Sequence, residues 1–171
     1  MDELESGMLF IKGSQDEICE IEKTELYAKL RSHGIKTVEY IRIRKGKDDR
    51  QALMWIEART TFPNPKIEHD FVGEIDEISK KFAHSIELFA AVMMNKLPDN
   101  KSELKKFRLV YMEAKFQMIL VIKGHKKEWL PIVADSLHKK LKQQWKIWNI
   151  DPSRDILVFN EQLAKEYKLI Y

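Results

Sequence analysis

An α/β fold, with helices flanking a mixed sheet, follows from three features of the 171-residue sequence. Two segments rich in β-branched residues, 38–44 and 52–60, alternate about a charged turn at Gly46 and predict an antiparallel hairpin. Apolar residues at threes and fours from Phe71 to Met93 predict one long amphipathic helix. Two apolar segments, 117–122 and 156–159, flank a further helix, which implies parallel strands joined by a crossover connection.

The elements follow in order. Met8 to Lys12 reads as a short strand. Ser14 with Glu17 makes a capping-box pattern, and Ile18, Ile21, Leu26, Tyr27 and Leu30 recur at near-helical spacing until His33-Gly34, so a helix is expected over about 15–32. In the hairpin, Glu39, Ile41 and Ile43 share one face of the first strand. Leu53, Trp55, Glu57 and Arg59 share one face of the second, with Met54, Ile56 and Ala58 on the other. Phe62-Pro63-Asn64-Pro65 is a stiff connector, because two prolines restrict themselves and their predecessors. The long helix is expected to end near Leu97-Pro98. Phe107, Leu109 and Tyr111 alternate, so 99–115 is read as containing a strand. Gln117 to Ile122, closed by Lys123-Gly124, is a strand covered on both faces. Pro131 sits in the first turn of a helix whose stripe is Val133, Leu137, Leu141, Trp145 and Trp148. Ile156 to Phe159 is a last strand, and Asn160 caps a short helix over 161–167.

Composition narrows the function classes. With 44% hydrophobic and 33% charged residues and no Gly/Ser- or Pro-rich divider, one domain with a proper core is expected. The N-terminus lacks a basic and apolar leader, and the longest apolar run, Leu88 to Met94, is too short to span a bilayer. A lone Cys19 excludes an intramolecular disulfide, so a soluble, cytoplasmic protein without membrane attachment is expected. Acids around Cys19 make it a poor nucleophile. The histidines lack zinc-ligand spacing, and neither a phosphate-binding glycine loop nor a nucleophile elbow is present. Charge is polarised: residues 1–30 hold eight acids against three lysines, whereas residues 101–150 hold twelve Lys/Arg against four acids. Lys126, Lys127, Lys139, Lys140 and Lys142, interleaved with Trp129, Trp145 and Trp148, are the candidate contacts to nucleic acid. A solvated lysine-rich helix face is the alternative for the same residues.

Glu39 and Glu57 are the candidate metal ligands, since two carboxylates on adjacent strands can bind Mg²⁺ and leave positions for water and a phosphodiester. Arg59 projects from the same strand face as Glu57 and completes the candidate catalytic set. The succession of helix, acid-bearing strand, Glu57-Ala58-Arg59 strand, long helix and buried strand resembles the PD-(D/E)XK nuclease-like superfamily over roughly residues 14–123. The resemblance implies a restriction-endonuclease-like core, Mg²⁺, a nucleic acid substrate, and an added acid from Glu17 or Glu22. The chain departs from the family pattern at three positions. Arg59 stands where lysine is usual, Glu39 where aspartate is more frequent, and Val38 where proline is expected. Arginine stays protonated, so it can stabilise charge but cannot act as a base. The reading is a nuclease-like domain engaging nucleic acid, active or degenerate. The alternative is a non-catalytic protein-interaction module or a subunit of a larger assembly, whose polarised charge matches a partner. For Glu57 and Arg59 themselves the alternative is pairing with Glu39 or Arg42 across a solvent-facing hairpin.

Overall fold

The computed structural model describes residues 3–11, 17–45 and 50–171. A small hairpin, β1 (Glu3–Glu5) and β2 (Met8–Phe10), precedes a five-stranded sheet whose strands lie side by side in chain order: β3 (Ile18–Glu20), β4 (Tyr40–Lys45), β5 (Gln51–Arg59), β6 (Lys115–Ile122) and β7 (Ile156–Asn160). The first three run antiparallel, and β5, β6 and β7 are parallel. The fold is α/β, as the patterning predicts.

The expected hairpin is β4 with β5, Ile41 facing Trp55 and Ile43 facing Leu53. The Gly46 turn lies outside the described residues. Alternation along β5 sorts its side chains to two cores: Leu53 and Trp55 join Ile41 on one face, and Met54, Ile56 and Ala58 join Tyr40 on the other. β6 is buried on both faces from Met118 to Ile122, which explains its continuous apolar run.

The helix expected over 15–32 is corrected. Ile18–Glu20 is an edge strand, with Ile18 packing on one sheet face and Cys19 on the other, and helix α1 spans only Glu25–Leu30. Thr24 fixes where the helix begins: its hydroxyl accepts from the Tyr27 N–H at 3.1 Å and donates to the Ile21 carbonyl at 2.7 Å. Ser14, the expected cap, lies outside the described residues. Gly34 at φ 76° ends the segment, a left-handed conformation that glycine adopts without strain. Thr24→Ala is expected to cost about 1 kcal/mol, read as a shift in the urea midpoint.

Helix α2 (Glu68–Met93) covers the first face. Its Phe71, Ile75, Ile78, Phe82, Ile86 and Phe89 are buried, and Phe89 meets Trp55 edge to face at 5.2 Å. The strand expected within 99–115 is a second correction: the segment is a series of turns. Buried Asp99 accepts from the backbone N–H groups of Glu103, Leu104 and Lys105, which folds the chain into a 3₁₀ turn at 105–107. Phe107 enters the core while Leu109 stays 94% exposed, so their alternation is not that of a strand.

The helix expected from Pro131 to Trp148 breaks at Leu141, where ψ of 14° leaves the helical range, giving α3 (Leu130–Lys140) and α4 (Lys142–Ile147). Val133, Leu137 and Leu141 are buried as predicted, but Trp148 lies beyond α4 and stacks on Phe116. After the short helix α5 (Pro152–Asp155) and β7, Asn160 caps α6 (Glu161–Glu166) by accepting from the Leu163 N–H at 3.1 Å, as expected. The second sheet face is closed by Met8, Phe10, Ala164, Leu169 and Ile170, with the Ile11 N–H bonded to the Leu169 carbonyl at 2.8 Å. Among the described residues no helix is long and apolar enough to cross a membrane.

Candidate functional site

Strand alternation puts Glu57 and Arg59 on the α2 side of β5, past the apolar pair Leu53 and Trp55. Glu39 immediately precedes β4 on the same side. Its segment is pinned to α2, because the Val38 N–H donates to the Ser85 hydroxyl at 2.9 Å and Ser85 donates to the Lys81 carbonyl at 2.7 Å. On α2 the polar residues Glu74, Glu77, Lys81 and Ser85 follow at spacings of three, four and four, a second stripe beside the apolar one. The two elements therefore meet across a polar seam.

Lys81 is the centre of that seam. Its Nζ lies 2.9 Å from Glu57 Oε1, 3.3 Å from Glu22 Oε1 and 3.8 Å from Glu39 Oε1. Glu57 is fully buried, and Arg59 Nε approaches its Oε1 at 3.3 Å. Arg59 also pairs with Glu74 at 3.0 Å and Glu77 at 2.9 Å. The alternative for these residues, pairing with Glu39 or Arg42 on a solvent-facing hairpin, is thus corrected: Glu57 and Arg59 face α2, and their partners come from that helix. Glu22 reaches in from the 3₁₀ turn after β3, while Glu17 stands before that strand.

Burial sets the electrostatics. It pushes the Glu39 carboxyl up to about 8, with Glu57 and Glu22 adding to the shift and Lys81 opposing it. It likewise lifts Glu57 to about 7, against Lys81 and Arg59. Burial disfavours the Lys81 ammonium, but Glu57, Glu22 and Glu39 overcome this and raise its pKa above the ordinary lysine value. Glu57 touches both cations, whereas Glu39 meets Lys81 only at 3.8 Å. Of the two carboxyls, Glu39 is therefore the one that keeps a proton near neutral pH.

A cleft of about 540 Å³ opens above this cluster at the end of β5, lined by Ser6, Glu39, Arg59, Phe62, Asp70 and Glu74 among others. Glu39 and Arg59 line it, whereas the fully buried Glu57 does not. Among the described residues no three His, Cys, Asp or Glu side chains are arranged to hold a metal ion. The Glu39 and Glu57 oxygens suit a hard cation by donor chemistry, since Mg²⁺ is often held by one or two carboxylates and several waters. Lys81 and the Glu39 proton compete for the same negative charge.

The five candidate lysines do not form one surface. Lys126 lies over Trp129 at 4.9 Å, Trp129 packs on His125, and His125 packs on the cleft residue Phe62. Lys126 is thus linked to the cleft residue Phe62 through Trp129 and His125. Lys139 and Lys140 pair with Asp135 and Asp76, and Lys142 begins α4; this group is separated from the first by α3, roughly 15 Å at 1.5 Å per residue. Trp129 is half-buried. Cys19 is inert, its thiol pushed up to about 12, chiefly by burial.

Lys81, Glu74 and Glu77 join the site without having been expected there. Their signal is the second stripe on α2, legible once the apolar stripe is fixed. No family model, curated protein or solved structure matches this chain.

Proposed function

We propose that the chain is a nuclease-like domain that engages nucleic acid at the cleft over Glu39 and Arg59. The observation that carries this reading is the convergence of Glu39 and Glu57 on Lys81, beside a cleft that Glu39 and Arg59 line. The succession of Glu39 before β4, the Glu57-Ala58-Arg59 strand, the long helix α2 and the buried strand β6, on which the resemblance rests, also supports it. Lys81, delivered by α2, offers the ammonium that Arg59 does not supply within the Glu57-Ala58-Arg59 motif.

In this reading Glu39 and Glu57 would hold Mg²⁺, which would supply activation of water and an offset to charge on the phosphate. Glu39 must first give up its proton, and Lys81 must yield part of its hold on Glu57. Arg59 keeps Glu57 oriented through the fork it shares with Glu74 and Glu77. Lys126 and Lys127 steer the phosphate backbone toward the cleft.

Labelled single-stranded DNA, duplex DNA and RNA, incubated with Mg²⁺ or Mn²⁺, test the proposal. Metal-dependent cleavage is expected, lost in Glu57→Ala and reduced in Arg59→Lys, with the remote Glu166→Ala unchanged. Metal at ten times its Kd should stabilise the fold by ~1.4 kcal/mol, an effect absent in Glu57→Ala. Replacing Lys126 and Lys127 should reduce the log-log salt slope of duplex binding by about 0.9 for each phosphate that is no longer neutralised. Parent protein without metal response, cleavage or nucleic acid binding at low salt sinks the reading.

One observation favours a second reading, a non-catalytic interaction module. Glu57 is already neutralised by Lys81 and Arg59, so the seam is electrostatically complete without a metal. Metal indifference in a well-folded parent protein is its expected result.

A further inference from the structure

At the other end of the sheet, where β6 begins, Tyr111, Phe116 and Trp148 form a common wall between two hollows. Register places this end far from the cleft: Lys115 lies opposite Ala52, whereas Ile122 lies opposite Arg59. The inner hollow, about 180 Å³, is an almost wholly apolar slot between Phe89, Met93, Met94, Tyr111, Phe116 and Trp148. The outer hollow, about 660 Å³, continues past Lys115, Asn149, Asp151 and Arg154. Phe116 stacks on Trp148 at 5.5 Å, and Phe89 meets Phe116 and Tyr111 edge to face, so the aromatic walls brace one another.

The rim is apolar and uncovered. Met94 is 63% exposed and Met112 79%, and Trp148 shows more than a third of its surface. Exposed apolar groups clustered around a preformed slot mark an interaction surface. Charge selects the occupant: the charged residues lining the outer hollow are Lys115, Asp151, Arg154 and Asp155. Arg154 pairs with Asp151 at 2.7 Å, and buried Asp155 accepts from the Gln117 amide and the Asp151 N–H. Lys115 stands exposed at the junction of the two hollows, with no carboxylate paired to it among the described residues.

We propose that this groove binds an acidic peptide segment of a partner protein, one large apolar side chain entering the slot and a flanking carboxylate meeting Lys115. A concave slot with braced aromatic walls accepts an inserted side chain, whereas membrane insertion requires apolar groups to project outward. An anchor in a pocket with a charged rim is the common anatomy of such contacts. The surface is independent of the cleft and of any reaction there.

Selection from a randomised peptide library displayed on phage tests this directly, followed by fluorescence anisotropy with the selected peptide. Acidic sequences carrying one Leu, Phe or Trp anchor should be enriched. Replacing the anchor with Ala should weaken binding at least tenfold, and so should Met112→Glu or Met94→Glu, both at exposed positions that leave the fold intact. Lys115→Glu should weaken binding and flatten its salt dependence. Absence of enrichment, enrichment without an anchor or without acids, or binding unmoved by the three variants overturns the proposal. So does preferential binding to phosphatidylserine vesicles, which would make the patch a membrane contact.

Discussion

Lys81→Met is expected to destabilise the chain by about 3–5 kcal/mol, the usual cost of removing one partner of a buried ion pair. The reason is the asymmetry of what remains. Glu57 is fully buried and keeps only Arg59, whose guanidinium is shared with Glu74 and Glu77. Glu22 and Glu39 lose their common cation as well. Converting Glu57 to Gln in the same chain should restore most of the loss, because a neutral amide no longer needs a counter-charge. Urea denaturation of both single variants and the double variant gives the coupling. A loss under about 1 kcal/mol would place the pair among ordinary surface ion pairs.

The same variant separates the two functional readings. Without Lys81 the carboxylates have a vacant claim on a cation, so Mg²⁺ or Mn²⁺ should recover part of the lost stability if Glu39 and Glu57 can ligate metal. Recovery in Lys81→Met with little effect on the parent would mark Lys81 as a resident substitute for the metal. No recovery in either would leave an internally neutralised, non-catalytic seam.

Much of this arrangement is legible in the sequence where periodicity is set by burial. The β4–β5 hairpin presents alternate residues to two cores and α2 presents one stripe to the first, and their side chains fall on the expected faces. Glu57 and Arg59 are legible for the same reason, since i and i+2 on a strand share a face. β3 is not, because a three-residue edge strand is held by backbone pairing to β4, while Ile18, Ile21 and Leu26 happen to imitate a helical stripe. The turns at 99–115 depend on one buried aspartate accepting three N–H groups, a contact without periodic signature. Lys81 stays hidden because its role appears only when α2 is laid across β5. Alone on its helix it is one charge among several.

Glu39 yields a test with a definite sign. Its carboxyl binds a proton more tightly folded, at about 8, than at its ordinary value of 4.5. The stability it contributes is therefore complete below about pH 4.5, falls as pH rises through that window, and is lost above about 8. Screening by its partial exposure limits the change to roughly 2 kcal/mol. Glu39→Gln, which cannot ionise, should remove that part of the pH dependence and be the more stable protein at pH 8. The residual slope in the variant belongs to Glu57, whose carboxyl is shifted in the same direction. Metal binding is tied to the same proton, so affinity for Mg²⁺ should rise over this pH range as Glu39 deprotonates. Superimposable profiles of parent and variant would mean that Glu39 ionises near its ordinary value and stands free as a ligand at neutral pH. A parent protein that gains stability over Glu39→Gln as pH rises would reverse the assignment and place the retained proton on Glu57.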